Sequence, residues 1–286
     1  MSEPASTDAK AHGQPQAPQE EYAFTRSHRE YRRLSRQSQV LEPATLRALS
    51  DVALAPGASV LDVGCGTGDV MRLLAQRVGP TGRVTGLDVD ASQGERMLAE
   101  LHAEGADVCR FIAGDVTQIG CIAAAPFDLV FARLVLFHTP QPVQVLQRLW
   151  SWVKPAGVLL IMDYDISSAR GIPRNEAIDR ALHLVARGFA QLGRDNEIGT
   201  QMPRLFVDAG IGIPDGCEAS GAIVAASTGF SIVRDALCSL RPLILRYHLL
   251  DAAALDRLDQ DLAEEQPPGT FMRWLDLVST WKRKAP

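Results

Sequence analysis

From Ser59 onward the chain alternates short apolar runs with amphipathic stretches. Ser59–Val63, Arg83–Val89, Val108–Ala113, Phe127–Ala132 and Val158–Met162 are too short for helices and predict five strands, most of them buried. Helical patterns separate them, over Asp69–Val78, Ala91–Glu104 and Val143–Val153, the last with apolar residues at 145, 146, 149, 150 and 153. Strands alternating with helices over short loops predict βαβ units and a parallel sheet covered on both faces.

The flanks are less regular. Ser27 to about Ala53 is helical, carried by Tyr31, Leu34, Leu41, Leu46 and Leu49. Glu42-Pro43 predicts a break into two helices there, because the residue before proline avoids the α region. Residues 1–20 are rich in Ala, Pro, Gln, Ser and Glu and predict a flexible tail. Downstream, helices are expected over Asn175–Leu192, Gln201–Ala209, Ser231–His248 (broken at Pro242) and Ala252–Glu264. Strands are expected over Gly216–Ala226 and Phe271–Lys282. Residues 21–286 thus read as one domain: a helical cover over 21–55, a core over 56–165, and helical insertions with the last two strands over 166–286.

Composition narrows the class. With 286 residues, 46% hydrophobic and 22% charged, the chain can bury a large core without disulfides or metals. Against 34 acidic residues stand 29 basic ones, a net charge of −5 that argues against nucleic acid as a partner. No apolar run reaches the roughly 18 residues that span a bilayer, and Met1–Glu20 lacks an apolar signal core. The five cysteines never form a CxxC pair, which indicates neither a zinc site nor a disulfide framework and suits a reducing, cytoplasmic setting.

The chemistry concentrates after the first strand. Val60-Leu61-Asp62-Val63 runs into Gly64, Gly66 and Gly68 and then a helix. Glycine allows a sharp turn and a close approach by a ligand, and the helix N-terminus favours negative charge. Asp88 ends the second strand 20 residues after Gly68, where such folds place an acid that accepts ribose hydroxyls. Asp115 follows the third strand at the same sheet edge and could accept an adenine amino group. A nicotinamide-dependent oxidoreductase would share these features, but it favours GxGxxG over the GxGxG spacing found here, and it leaves Asp115 unexplained.

VLDVGCGTGDV (60–70), GLDVD (86–90), AGDV (113–116), FDLVFARLVLFH (127–138) and KPAGVLLIMDYD (154–165) together resemble a class I S-adenosylmethionine-dependent methyltransferase. The likeness is strongest to small-molecule enzymes related to the ubiquinone and menaquinone methyltransferases. Glu30 to Leu34, Gln37 and Leu41 to Thr45 resemble the N-terminal helix that covers the cofactor in some bacterial members. The resemblance implies a Rossmann-like α/β fold with a seven-stranded sheet, order 3-2-1-4-5-7-6, the seventh strand antiparallel. It implies S-adenosylmethionine as cofactor and S-adenosylhomocysteine as product. Gly64, Gly66 and Gly68 would let the backbone pass the cofactor, and Asp62 would steer its ammonium group. Asp88 would hold the ribose, Asp115 the adenine, and Val116 would flank the base. The Arg133 backbone would meet the methionine moiety, and Gln37 would reach its carboxylate from the cover helix. A non-catalytic protein that binds the same cofactor would carry the same motifs.

The remaining candidates face the acceptor. His138 follows the fourth strand and could serve as a base, since its ordinary pKa is near 6.5, or could simply hold its loop. Asp163, Tyr164 and Asp165 leave the fifth strand at the same edge and could bind a polar substrate group or remain solvated. Tyr22, Phe24 and Tyr31 could wall the site off from water, with core packing the competing role for Tyr31. The expected partner is a small-molecule methyl acceptor, and the insertions leave room for a homodimer.

Overall fold

The computed structural model describes residues 28–286, so Tyr22 and Phe24 lie outside the described residues. In chain order the strands are β1 (Ser59–Val63), β2 (Arg83–Asp88), β3 (Cys109–Ala113), β4 (Phe127–Arg133), β5 (Val153–Asp165), β6 (Arg170–Ile172), β7 (Gly216–Ser220), β8 (Ile223–Ala225), β9 (Phe271–Arg273) and β10 (Asp276–Arg283). The helices are α1 (His28–Asp51), α2 (Asp69–Val78), α3 (Ala91–Ala103), α4 (Pro142–Ser151), α5 (Glu176–Gln191), α6 (Ile198–Asp208), α7 (Ala226–Arg246) and α8 (Ala252–Ala263).

The main sheet has the order β3-β2-β1-β4-β5-β10-β7. The first five of these pair in parallel, and β10 runs antiparallel to both β5 and β7. With β7 and β10 as sixth and seventh strands, this is the expected 3-2-1-4-5-7-6. Val60, Leu61, Leu129, Val130 and Phe131 are buried because helices cover both faces of the central strands. Each such side chain stabilises the fold by about 1.5–3 kcal/mol relative to exposure.

Several expected boundaries move, for physical reasons. The break predicted at Glu42-Pro43 is absent, and α1 runs through Pro43. Proline there removes a donor to the Gln39 carbonyl, but Gln39 and Pro43 both lie on the exposed face, where water can take the lost bond. The opposite face buries Leu41, Thr45, Ala48 and Leu49 and holds the helix together. Likewise α7 passes through Pro242, whose freed carbonyl partner, Cys238, is exposed. The fifth strand starts earlier than expected: Pro155-Ala156-Gly157 is not a turn before it but a bulge within β5, where the pairing with β4 shifts register between Phe127 and Leu129.

The two C-terminal strands each divide. Gly216–Ala226 becomes β7 and β8, and Phe271–Lys282 becomes β9 and β10. The first piece of one and the second of the other stay in the main sheet, while β8 and β9 join β6 in a small antiparallel sheet, order β6-β9-β8. Both chains leave together, because the Trp274 amide donates to the Ala222 carbonyl at 2.8 Å across the joint and the Trp274 side chain is buried beneath it.

Helices α1, α5, α7 and α8 pack as a cap beside the sheet. Arg29 and Arg36 of α1 both bond Asp235 of α7, and Arg234 of α7 forks onto Asp259 of α8 at 2.7 and 2.8 Å.

The central strands carry the stability. Phe131→Ala is expected to cost about 3–5 kcal/mol in urea unfolding. A loss below about 1 kcal/mol would contradict the sheet placement of Phe131.

Candidate functional site

Sheet order sets the chemistry of the carboxyl edge. Strand ends stand there as β3, β2, β1, β4 and β5, each about 4.8 Å from the next. Moving along that edge, they present Asp115, Asp88, Asp62, Arg133 and Tyr164. All five line one cavity of about 370 Å³.

The turn after β1 forms its floor. Gly64, Gly66 and Gly68 have φ of +68°, +51° and +78°, where side chains are strained. A Cβ on Gly64 would meet Val135 at 2.5 Å, so its absence lets the turn close against the segment after β4. Gly64 and Gly66 line the cavity. Gly68, expected beside the cofactor, is not among the lining residues. It caps α2, and a Cβ there would strike Met97 of α3 at 2.5 Å, so helix packing explains it. Cys65 lies between these glycines, and burial pushes its thiol well above the ordinary range, which suits a packing residue.

Asp62 is 2% exposed, and its Oδ2 is buried without a hydrogen-bond partner. Burial raises its pKa to about 7, with Arg133 pulling it down and Asp88 pushing it further up. Asp88 is held by two backbone donors, the Gly66 amide at 2.9 Å and the Asp90 amide at 3.0 Å. Asp115 accepts from the Thr117 amide and hydroxyl, both at 2.8 Å. Val116 lines the cavity beside it, its carbonyl accepting from Arg148 at 2.5 Å. The Tyr31 hydroxyl donates to Asp90, placing this ring near the Asp88 end of the cavity.

Arg133 acts here through its side chain as well as its position. Its guanidinium donates to Ser38 Oγ at 2.7 Å and Thr45 Oγ1 at 2.9 Å, tying β4 to α1. Burial holds its pKa below the ordinary value, with Asp62 opposing. Gln37 lines the cavity, and its Oε1 accepts from Arg33 at 2.6 Å. Arg33 in turn forks onto Glu30 at 2.6 and 2.9 Å, and Glu30 accepts from Ser239 of α7 at 2.8 Å.

At the β4–β5 end the expected substrate residues separate. Tyr164 lines the cavity. Asp163 does not: it is fully buried and accepts from the Phe137 amide at 3.0 Å and the Tyr164 amide at 2.9 Å, so it fixes the segment after β4. Burial raises its pKa to about 7, against the pull of these backbone donors. Asp165 is also outside the cavity; it accepts from the Ser167 amide at 3.0 Å and caps the following turn. His138 lines the cavity on a one-turn 3-10 helix, Leu136–His138, with the Phe189 ring centroid 6.3 Å away. Burial, then Arg194 and Arg33, push its pKa down to about 3, leaving a neutral imidazole at pH 7.

The sequence reading placed Glu30 and Arg33 on the cover helix without a role of their own and missed Arg194 and Trp274; all four line the cavity. A signal existed for the first two. Positions 30, 33, 37 and 41 share one helical stripe that turns from apolar Leu41 to polar residues upstream, the pattern of a helix whose buried face meets a polar site. Trp274 gave no signal, because it sits in the joint between two strand pieces that read as one.

A family model described as a methyltransferase domain matches residues 54–198. Trans-aconitate 2-methyltransferase of Deinococcus radiodurans is 34% identical over 148 residues, covering 51% of this chain and 50% of that protein. Demethylmenaquinone methyltransferase of Lactococcus lactis is 31% identical over 119 residues, covering 42% and 46%. The chain thus matches about half the length of these curated relatives. Among solved structures, the YcgJ protein of Bacillus subtilis superposes with a TM-score of 0.55 at 14% identity, covering 85% of this chain and 97% of that one, a likeness of fold.

The raised carboxyls make a pH prediction. Asp62 and Asp163 keep their protons to about pH 7 when folded, against an ordinary 3.8. The folded state therefore binds more protons than the unfolded one, and stability falls as pH rises from about 4 to about 7. In Asp62→Asn the melting temperature should fall less across that window than in the unaltered protein. Identical slopes would contradict the burial of an unpartnered carboxyl.

Proposed function

Because the chain belongs to the class I S-adenosylmethionine-dependent methyltransferases, we propose that it transfers a methyl group from that cofactor to an O, N or C nucleophile of a small molecule. The observation that carries this reading is Asp62, a buried carboxylate with an unpartnered oxygen on the floor of a glycine turn. Such an acceptor fits a charged donor, and the cofactor's ammonium group is one. Gly64 and Gly66 bring backbone to the cavity wall, against which an extended ligand can lie.

The family resemblance supplies the other roles, and the order of the strand ends along the edge supports them. Asp88 takes the ribose hydroxyls, Asp115 the adenine amino group, and Val116 packs on the base. Arg133 and Gln37 face the methionine end, where Arg133 also balances the charge of Asp62. When bound, the cofactor supplies a methyl group on a positively charged sulfur, already activated for in-line displacement. The chain then has to align the nucleophile and exclude water, and orientation of that kind contributes about 7–11 kcal/mol. A well-matched base adds roughly 10²–10⁴-fold. His138, with its pKa near 3, falls short of that match and serves as a neutral polar contact beside the acceptor.

The same reading treats residues 21–286 as one unit with 21–55 as its cover, places it in the cytoplasm, and gives it no nucleic-acid partner. The net charge of −5 and the scattered cysteines support this. Among the described residues no helix is long and apolar enough to cross a membrane. A homodimer through the insertions is part of the reading, supported by the exposed Ile223 and Phe271 on the small sheet.

Calorimetry is expected to show binding of S-adenosylmethionine and S-adenosylhomocysteine and no heat with NAD; the reverse would sink the proposal. Asp88→Ala should weaken S-adenosylhomocysteine binding by about tenfold or more, equivalent to about 1.4 kcal/mol, and unchanged affinity would overturn the ribose role. His138→Ala should lower kcat by less than about tenfold, whereas a loss beyond about a hundredfold would restore it as a base.

A further inference from the structure

Besides the row of acids, α5, α7 and the β5–β10 end contribute lining to the cavity, and this part is called its second lobe. Its walls are apolar: Leu182, Val185 and Phe189 from α5, and Ile232, Val233 and Ala236 from α7. At the sheet end stand Tyr164 and Trp274, brought together because Leu277, three residues after Trp274, pairs with Tyr164 across β5 and β10. Tyr164 is 8% and Trp274 1% exposed. Nevertheless Tyr164 Oη and Trp274 Nε1 are both buried without a hydrogen-bond partner. The indole lies close enough to influence the phenol, yet outside bonding geometry.

Two buried polar groups side by side, facing aliphatic walls, call for a partner from outside the chain. An indole N–H can only donate, and a phenol can donate. The complementary atom is therefore an acceptor, and oxygen is the common one. The charges facing the lobe point the same way. Arg33 and Arg194 both line the cavity, and after burial, the larger cause, both lower the His138 pKa. Glu30 is there too, paired with Arg33 so that each offsets the other, and it accepts from Ser239. Cations on the cavity wall disfavour an ammonium group and favour an oxygen acceptor.

We propose that this lobe selects a compact, mainly apolar acceptor carrying one acidic oxygen, a carboxylic acid or a phenol, whose oxygen takes the hydrogen bonds of Trp274 Nε1 and Tyr164 Oη. The assignment rests on the methyltransferase reading and narrows its choice among O, N and C acceptors. It also separates the cavity into two functions. The β3–β1 end belongs to the cofactor, and the β5–β10 end belongs to the acceptor.

The test is calorimetry on the full chain, first with S-adenosylhomocysteine and then, on the saturated protein, with three probes of similar size: 3-phenylpropionate, 4-ethylphenol and 3-phenylpropylamine. At least one of the two acids should bind about tenfold or more tightly than the amine. Comparison of the two then tells whether the lobe prefers a carboxylate or a phenol. Trp274→Phe and Tyr164→Phe should each weaken the preferred acid by about tenfold while leaving S-adenosylhomocysteine affinity within about twofold. Tyr164→Phe keeps the ring volume, so it reports even where Trp274→Phe melts early. The proposal is overturned if the amine binds as well as the acids, if neither acid binds, or if the variants bind the preferred acid normally. It is overturned equally if the variants lose S-adenosylhomocysteine in step, because the pair then belongs to the cofactor's end. Absence of S-adenosylhomocysteine binding to the unaltered protein would instead remove the methyltransferase reading beneath it.

Discussion

A carboxylate buried at the end of a central strand is the constraint on which the site depends. Asp62 loses nearly all its water, and one oxygen gains no hydrogen bond in return. An unmet buried polar group costs about 1–3 kcal/mol, and more for a charge. The chain answers with Arg133 on the neighbouring strand, which draws the Asp62 pKa down while burial drives it up to about 7. Arg133 then needs partners of its own and finds them in Ser38 and Thr45 of α1. A single costly group at the floor thereby couples β1, β4 and the covering helix.

The cover is built by the same logic. Glu30 and Arg33 sit on the buried stripe of α1 as an ion pair, 1% and 3% exposed. Buried pairs are weak sources of stability, because desolvation offsets much of their attraction. What this one does is geometric. Ser239 of α7 donates to Glu30 and ties α1 to α7 beside the cavity, while Arg33 also donates to Gln37 one turn along the same helix. The proposed methyl transfer demands alignment and dryness more than a strong base, and α1 with α5 and α7 encloses the cavity. The neutral His138 is consistent with that division of labour.

Much of this was legible in the chain because it is written locally. The strand and glycine turn at 60–68, and the acids at 88 and 115, follow from period, length and spacing, and they stand along the sheet edge in the order the topology demands. The two helix breaks that are absent share one cause: at Pro43 and Pro242 a local rule met an exposed helix face where its cost is small. The β5–β10 end of the cavity was least legible. Asp163, Tyr164 and Asp165 are consecutive, yet alternation along β5 sends Tyr164 into the cavity, turns Asp163 to the segment after β4, and leaves Asp165 to cap a turn. Trp274 arrives from more than a hundred residues away, through a strand pairing that no local pattern announces.

The most direct test of Asp62 as the receptor for the cofactor's ammonium group is proton release on binding. S-adenosylhomocysteine would be titrated near pH 6 by calorimetry in buffers of different ionisation heat. Asp62 is largely protonated there and must ionise to receive the ammonium group. The unaltered protein should therefore release close to one proton per ligand bound, and Asp62→Asn close to none. Equal proton counts in the two proteins would contradict the role given to Asp62.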